Sequence, residues 1–134
     1  MARKFAVEIV TPERVVLSEE AESLVVPAEK GYLGILAGHA PLLCTLRPGE
    51  VRLKTDRGER LFATGGGFLE VARNKATLLV DSLEEASAID VPRAEAALRR
   101  AREELAAART ETAREEARAA MERARNRLRV ASRK

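Results

Sequence analysis

Three consecutive glycines, Gly65-Gly66-Gly67, are the first residues here whose type suggests chemistry, because glycine-rich loops can bind phosphate through their backbone amides. Such a loop binds phosphate when it leads into a helix whose N-terminus faces the anion. Residues 68–71 (Phe-Leu-Glu-Val) instead have the composition of a strand. The triplet therefore predicts a bend or bulge between two strands, where glycine allows close backbone approach.

The single histidine, His39, and the single cysteine, Cys44, are the other candidates for chemistry. No group of histidine, cysteine and carboxylate residues has the spacing of metal ligands, and no nucleophile–base pair is suggested. His39 precedes Ala40-Pro41, which predicts a structural role in a turn. Cys44 lies in a strand-like run, residues 43–46, which predicts a buried and unreactive thiol. We therefore expect neither a catalytic site nor a metal site.

The first part of the chain has the pattern of short β-strands. Phe5, Val7 and Ile9 alternate with polar neighbours, as in a strand with one buried face. Similar short segments recur at residues 15–17, 23–27, 42–46, 51–55, 61–64, 68–72 and 77–80. Turn residues separate them, such as Asp56-Arg57-Gly58, which predicts a hairpin, and Pro48-Gly49, which predicts a type II turn. Strands of this length and spacing predict a β-sandwich or barrel.

Residues 28–41 join two of these strands and contain three glycines, Gly31, Gly34 and Gly38. Glycine tolerates a positive φ and so permits sharp reversals of the chain. The side chains between the glycines are apolar: Tyr32, Leu33, Ile35 and Leu36. We therefore expect a long irregular connection that packs between the sheets.

The pattern changes to that of helices from Ile89 onward. Asp90 is a good N-cap, and Pro92 suits the first helical turn, where its missing N–H costs nothing. The sequence Thr112-Ala-Arg-Glu115 has the form of a capping box and predicts the start of a second helix. Two apolar stripes at helical spacing follow Pro92: Ala94, Leu98, Ala101, Leu105 and Ala108, then Ala113, Ala117, Ala120, Met121, Ala124 and Leu128. The sequence predicts two helices joined near residues 109–112, with no residue that forbids one continuous helix.

Charge also divides the chain. Residues 1–89 carry 11 basic and 13 acidic groups (−2), and residues 90–134 carry 13 and 8 (+5), which together give the net charge of +3. We predict an α+β protein with two domains, residues 1–84 and residues 85–134. No apolar run approaches membrane-spanning length, so we expect contact with a membrane only through partners.

The segment Gly31-Tyr-Leu-Gly-Ile-Leu-Ala-Gly-His-Ala-Pro-Leu-Leu43 resembles the N-terminal domain of the epsilon subunits of bacterial F-type ATP synthases, which are equivalent to the mitochondrial delta subunits. The resemblance implies a ten-stranded β-sandwich that docks on the rotor, followed by a two-helix antiparallel hairpin. In that family the hairpin either folds down on the sandwich or extends into the catalytic head, where it inhibits ATP hydrolysis.

By the same resemblance, the chain is a non-catalytic subunit of the central stalk in a proton-translocating ATP synthase. The partners implied are the gamma subunit, the c-ring and the alpha/beta catalytic head, with no nucleic acid. The location implied is peripheral, on the cytoplasmic face of the bacterial plasma membrane. No cofactor is required, although ATP is implied as a regulatory ligand.

Two further segments carry the resemblance. Ile89-Asp-Val-Pro-Arg-Ala94 resembles the I/L-D-x-x-R-A nucleotide motif of bacterial epsilon subunits, and Arg123-Ala-Arg-Asn-Arg-Leu128 resembles the R-A-x-N-R-L segment that faces it. Carried over by position, the phosphate contacts are Arg93, Arg123 and Arg127, with Arg100 a weaker candidate. The adenine and ribose side is formed by Glu84, Asp90 and the backbone of Ile89 and Ala94. The alternative is that these arginines form a solvated helix face with acidic partners.

The resemblance also implies a contact for a separate basic group, Arg114, Arg118 and Arg125: when the helices extend, it would meet the acidic DELSEED-type region of the beta subunits. Two other functions remain open: a basic helical adaptor that binds nucleic acid, and a free-standing ATP sensor. Residues 90–134 contain no aromatic residue for base stacking and carry eight acidic groups, which argues against the adaptor.

Overall fold

The computed structural model describes residues 3–133 of the 134-residue chain. The chain divides into two units after Glu85, one of strands and one of helices. The strand unit contains β1 (Phe5–Val10), β2 (Val15–Ala21), β3 (Ser23–Ala28), β4 (Gly31–Ile35), β5 (Leu42–Leu46), β6 (Gly49–Thr55), β7 (Gly58–Thr64), β8 (Gly67–Ala72), β9 (Lys75–Val80) and β10 (Leu83–Glu85).

These strands form one ten-stranded sheet in the order β10-β7-β6-β3-β5-β8-β9-β1-β2, with β4 paired to β3. Every pairing is antiparallel except that of β1 with β9. The end strand β2 also lies against β6, so the sheet folds over on itself into a sandwich that approaches a barrel. The predicted α+β class and ten-stranded sandwich are therefore confirmed.

The core of the sandwich comes from alternate residues of its strands, as the period of two requires. Phe5, Val7 and Ile9 of β1 are all buried, and the residues between them are half-buried. The largest fully buried aliphatic side chains of the sandwich are Ile9, Leu24, Ile35, Leu53, Leu69 and Leu78. Each contributes about 1.5–3 kcal/mol when it leaves water, so this aliphatic core supports the fold with few aromatic residues.

The prediction of an irregular, buried connection over residues 28–41 is wrong. Within it lies β4, which forms a hairpin with β3 in a register that pairs Ala28 with Gly31, where Gly31 has φ of 136°. Ile35 is buried, whereas Tyr32 is 60% exposed and Leu36, which follows β4, is 63% exposed. The reason is that a strand points successive side chains to opposite faces, and here both faces carry apolar residues.

The predicted type II turn at Pro48-Gly49 is also wrong, because Gly49 has no positive φ and already begins β6. Glycine is needed there for space: an added Cβ would stand 2.6 Å from Cβ of Pro27 and 3.1 Å from the hydroxyl oxygen of Tyr32. By contrast, the predicted bend at residues 65–67 is confirmed. Gly67 has φ of 153° and opens strand β8, and no helix follows it.

The second unit begins with a short 3-10 helix (Ala86–Ala88) and continues as α1 (Val91–Ala107) and α2 (Glu111–Ala131). The predicted N-cap of α1 is confirmed, since Oδ1 of Asp90 accepts the backbone N–H of Arg93 at 3.1 Å. The predicted capping box at Thr112 is wrong by two residues. Thr110 has extended backbone angles and caps α2 by accepting the N–H of Ala113 at 3.0 Å, so Thr112 already lies inside the helix.

A seam of alanines joins the two helices, which run antiparallel across the short loop at residues 108–110. Buried alanines recur every seven residues in each helix: Ala94 and Ala101 in α1, and Ala117, Ala124 and Ala131 in α2. The larger side chains of the predicted stripes flank this seam and are only half-buried: Leu98, Leu105, Met121 and Leu128. Alanine lets helix axes approach closely, but it contributes little apolar area to the closed hairpin.

Candidate functional site

The buried alanines define the register of the helical hairpin. Ala94 and Ala124 each lie 15 residues from Arg109, and Ala101 and Ala117 each lie 8 residues from it. In an antiparallel hairpin, residues at equal distances from the loop lie at the same level. Ala94 therefore faces Ala124, and Ala101 faces Ala117.

This register shows the direction in which each arginine points. Arg93 and Arg123 each precede a buried alanine by one residue, which turns them about 100° from the seam. Because the helices run in opposite directions, this same rotation takes both side chains to the same side of the hairpin. Arg100 precedes Ala101 and lies on that side too. Arg127, three residues after Ala124, lies about 60° from the seam on the same side.

We call these four residues the arginine face: Arg93, Arg100, Arg123 and Arg127. Arg123 and Arg127 are each two residues, or about 3 Å along the axis, from the level of Arg93. Arg100 is seven residues, or about 10 Å, closer to the loop. The hairpin thus brings Arg93, Arg123 and Arg127 together at one end and leaves Arg100 apart.

Three of the four arginines on the arginine face are exposed and have no acidic partner among the described residues. Arg93, Arg100 and Arg123 are exposed, and none of the three forms an ion pair with any residue between 3 and 133. Arg127 is half-buried and has interactions within the chain. Clustered guanidinium groups suit the recognition of phosphate, which they bind through paired hydrogen bonds.

The residues expected on the adenine and ribose side already have structural roles in the fold. The N–H of Ala94 donates to the carbonyl oxygen of Asp90 at 3.0 Å, and the methyl group of Ala94 is buried in the seam. Ile89 is buried as well, and its N–H donates to Ala86 at 3.4 Å. Glu84 belongs to the strand unit, where it pairs with Ala63 in the ladder of β10 and β7.

Arg114, Arg118 and Arg125 lie on the other side of the hairpin. Arg118 and Arg125 each follow a buried alanine by one residue, so they turn about 100° from the seam in the opposite sense to Arg123. Glu111 partly neutralises this group, with oxygen atoms 3.4 Å from Nε of Arg114 and 3.7 Å from Nη1 of Arg118. The sequence-predicted nucleotide and inhibitory groups are therefore separate surfaces.

The sandwich carries an exposed apolar surface that the sequence analysis missed. Leu43, Phe68 and Leu79 are 72%, 55% and 53% exposed, and Phe68 and Leu79 are direct register partners across β8 and β9. The row continues through Val10 of β1, the partner of Leu79, to Val15 of β2, which is 52% exposed. We call these five residues the sheet patch. In the sequence, such a surface is indicated by two apolar residues in a row, such as Phe68-Leu69, because successive residues of a strand point to opposite faces and both faces are then apolar.

A second exposed apolar surface, the loop patch, consists of Tyr32 on β4 and Leu36 beyond it. The hydroxyl of Tyr32 accepts the backbone N–H of Glu50 at 3.1 Å, which holds the ring against the surface. Leu36 lies four residues after Tyr32, or about 13 Å further along the extended chain.

The residues first considered for catalysis have structural surroundings. Nδ1 of His39 lies 2.7 Å from the carbonyl oxygen of Ala40, a hydrogen bond within the turn. The prediction of a buried Cys44 is wrong, because Cys44 is only half-buried; this partial burial raises the pKa of its thiol. Among residues 3–133, no three histidine, cysteine or carboxylate side chains come together as metal ligands.

Comparison with known families matches both units. The family model described as ATP synthase, delta/epsilon chain, beta-sandwich domain, matches residues 4–86. The family model described as ATP synthase, delta/epsilon chain, long alpha-helix domain, matches residues 87–132. The chain belongs to the ATP synthase delta/epsilon chain family. The resemblance inferred from the glycine-rich segment is thereby confirmed.

Two curated ATP synthase epsilon chains are among the relatives of this chain. That of Carboxydothermus hydrogenoformans is 46% identical over 106 residues, which are 79% of each chain. That of Pelotomaculum thermopropionicum is 48% identical over 99 residues, which are 74% of each chain. This family member is thus similar to bacterial epsilon chains over most of its length.

Solved structures share the fold of this family member. A chain in the mitochondrial ATP synthase of Euglena gracilis superposes with a TM-score of 0.83 at 21% identity, over 96% of this chain and 81% of that one. A chain in the central stalk and c-ring structure of the Tetrahymena thermophila enzyme gives 0.65 at 16% identity, over 97% and 98%. Between residues 3 and 133, no helix is long and apolar enough to cross a membrane.

Proposed function

We propose that this epsilon-family chain is a non-catalytic subunit of the ATP synthase central stalk, where its sandwich docks on the gamma subunit and the c-ring. The observation that carries the proposal is the sheet patch. It places large apolar side chains in one row across β8, β9, β1 and β2, on the face opposite the core. Burying such a row against a partner gains about 25 cal/mol for each Å² of apolar surface removed from water.

Two apolar surfaces on one small sandwich suit a subunit that bridges two partners. The sheet patch and the loop patch come from different strands, β1, β2, β5, β8 and β9 in one case and the β4 region in the other. In this arrangement the chain transmits torque between the gamma subunit and the ring without any chemistry of its own. Its location is peripheral, on the cytoplasmic face of the bacterial plasma membrane, and it meets the membrane only through the complex.

The experiment replaces the three most exposed sheet-patch residues by serine: Leu43→Ser, Phe68→Ser and Leu79→Ser. Binding to ATP synthase complex that lacks this subunit should weaken at least tenfold, while urea unfolding stays close to wild type because these side chains are exposed in the free subunit. Glu20→Ser on β2, an exposed polar position, is the control. Unchanged affinity of the triple variant would contradict docking through this face.

The helical unit is proposed to regulate ATP hydrolysis by opening. The alanine seam buries little apolar area, so the free energy that favours the closed hairpin is of the order of a few kcal/mol. If residues 92–130 straighten into one helix, it spans about 60 Å, enough to reach into the catalytic head. The basic side of α2 then meets the acidic beta-subunit region through Arg114, Arg118 and Arg125.

ATP is proposed to favour the closed hairpin. The arginine face is assembled from both helices, and only the antiparallel pairing brings Arg93 of α1 to the level of Arg123 and Arg127 of α2. A ligand that needs all three stabilises the closed form by its differential affinity. At about 100 times its dissociation constant, the ligand adds about 2.7 kcal/mol, which is comparable to the weak seam.

The nucleic-acid adaptor remains the alternative from another class. The exposed side chains of Arg93, Arg100 and Arg123 support a polyanion ligand in general. A comparison of ATP with a single-stranded oligonucleotide in the same titration separates the two functions, because only the adaptor would bind the oligonucleotide with steep dependence on salt.

A further inference from the structure

The side chain of Asn74 joins three segments of the sandwich that are far apart in sequence. Its Oδ1 accepts the backbone N–H of Gly38 at 2.8 Å, and its Nδ2 donates to the carbonyl oxygen of Lys4 at 3.0 Å. Its own carbonyl oxygen accepts the N–H of Ala6 at 3.2 Å. One residue in the β8–β9 turn thus ties the start of β1 to the segment that follows β4.

The local backbone also favours asparagine at this position. Asn74 has φ of 60°, in the left-handed region that asparagine adopts more readily than other side chains. The amide offers, on two separate atoms, an acceptor for the N–H of Gly38 and a donor for the carbonyl of Lys4. Gly38, the residue that Asn74 holds, has φ of 80° and lies two residues after Leu36 of the loop patch.

We infer that Asn74 is a positioning residue for the Leu36 side of the loop patch: its amide holds residues 36–39 so that Leu36 is presented in a fixed position. The segment closes a turn of its own, in which His39 donates to the carbonyl of Leu36 at 3.1 Å. The bond from Gly38 to Asn74 anchors this turn to β8 and β9. A surface held in its bound shape loses less conformational entropy on docking, so the clamp raises affinity without touching the partner.

This inference rests on the proposed docking function, and it concerns how the surface is held rather than what it binds. The partner that fits is a protein surface with an apolar centre, since Tyr32 and Leu36 are the exposed large side chains there. Residues 36–39 contain no lysine, arginine, aspartate or glutamate.

The test compares two substitutions in the same turn. Asn74→Gly removes the amide, and Arg73→Gly is the matched control because Arg73 also has a positive φ, of 52°, and precedes Asn74. Glycine accepts both conformations without strain. In Asn74→Gly, the Gly38 amide should exchange with solvent roughly fivefold faster, and in Arg73→Gly it should exchange as in wild type.

The functional readout is the affinity for ATP synthase complex that lacks this subunit. Asn74→Gly should bind roughly three- to tenfold more weakly, and Arg73→Gly should bind like wild type. Asn74→Asp keeps the acceptor for Gly38 and should recover part of the affinity; it also provides the measurement if the glycine variant does not fold. If Asn74→Gly binds as tightly as wild type while Gly38 exchanges faster, the positioning role is overturned.

A third arm separates this inference from the proposed function. Leu36→Ser removes apolar surface from the loop patch but leaves the Gly38–Asn74 bond in place. It should weaken binding with no change in Gly38 exchange. Failure of the wild-type chain to bind the complex would contradict the proposed docking function itself, whereas unchanged Gly38 exchange in Asn74→Gly would contradict the clamp alone.

Discussion

Arg60 and Glu85 form a bidentate ion pair that holds the last strand of the sandwich in place. Nε of Arg60 donates to Oε2 of Glu85 and Nη2 donates to Oε1, each at 3.0 Å. Nη1 of Arg60 donates to Glu19 on β2 at 3.1 Å, and the guanidinium lies 5.1 Å from the ring centre of Phe62. One cation thus connects β10, β7 and β2, and β10 ends where the helical unit begins.

This pair predicts a pH-dependent loss of stability. The hydrogen bond from Arg60 lowers the pKa of Glu85, against the opposing effect of partial burial. A carboxyl whose pKa is lower in the folded state stabilises the fold above its unfolded pKa, and this stability is lost as the pH falls through the folded pKa. Glu85→Gln should therefore lower the free energy of unfolding at pH 7 by up to about 1 kcal/mol, a small value because both side chains are more than one-third exposed.

The difference between wild type and Glu85→Gln should disappear once the pH lies below the folded pKa of Glu85, and urea unfolding at a series of pH values from 7 to 3 measures it. Glu13→Gln, in the exposed turn between β1 and β2, is the control and should follow wild type. A constant difference across this range would show that the charge of Glu85 does not stabilise the fold.

The sandwich should fold without the helices. Its buried cluster is made of residues from the strands themselves, and all ten strands end by Glu85. A chain of residues 1–88 should therefore unfold cooperatively in urea and bind the gamma subunit with affinity close to that of the full chain. An unfolded product, or one that no longer binds gamma, would contradict the assignment of docking to the sandwich.

Removal of three basic groups from α2 should relieve inhibition of ATP hydrolysis in the assembled enzyme. Changing Arg114, Arg118 and Arg125 to alanine should weaken the inhibitory contact by roughly 1–2 kcal/mol in total, or about tenfold. The effect should shrink at high salt, because exposed charges are screened. Glu111→Gln should act in the opposite direction, since it frees two of these arginines from their acidic partner.

The control for the inhibitory arginines removes the same charge elsewhere in the helical unit: Arg99→Ala, Arg102→Ala and Arg109→Ala, all exposed. Steady-state ATPase activity at two ionic strengths provides the comparison. Inhibition that persists at low salt in the first triple variant, or that both triple variants relieve equally, would count against a specific basic contact.

Loss of one arginine from the converging end of the arginine face should weaken ATP binding. Arg93→Ala or Arg123→Ala removes a charged hydrogen-bond donor, a change of about 1.5–3 kcal/mol, or roughly tenfold or more in the dissociation constant. Arg102→Ala is the matched control, because nine residues separate it from Arg93 and place it on the opposite side of α1. Isothermal titration of the isolated subunit measures all three.

One result of this titration would contradict the binding of ATP. If the wild-type subunit binds no ATP at millimolar concentration, the Asp90–Arg93 motif is only a helix cap and nucleotide does not regulate this hairpin. Arg100→Ala gives a further check on geometry. Its position about 10 Å from the converging arginines predicts a smaller effect than that of Arg93→Ala.

The sequence alone determined the features that depend on local physics. The alternation of Phe5, Val7 and Ile9 predicts a strand with one buried face, and the structure has it. Asp90 and Pro92 define the start of α1 through an N–H acceptor and a fixed φ, which act within one helical turn. The glycine triplet predicts a bend because the strand-like residues after it exclude a helix. Each of these effects needs only neighbouring residues.

Only the tertiary structure decided which apolar residues face solvent. Leu69 and Leu78 are fully buried while their neighbours Phe68 and Leu79 are exposed, yet all four are apolar and lie in strands. Which face of a strand is covered depends on the other layer of the sandwich, and that layer comes from residues far away in sequence. The same cause concealed β4, because its hydrogen bonds go to β3 and its apolar residues appear on both faces.

The arrangement of the arginines depended partly on the sequence and partly on the tertiary structure. The seven-residue spacing of alanines is visible in the sequence, but the sides on which Arg93 and Arg114 lie follow only once those alanines are known to form the buried seam. The register depends on where the loop falls, and that was decided by Thr110 rather than Thr112 as the cap of α2. A shift of two residues in one helix turns its side chains by about 200°, so helix propensity alone could not separate the nucleotide side from the inhibitory side.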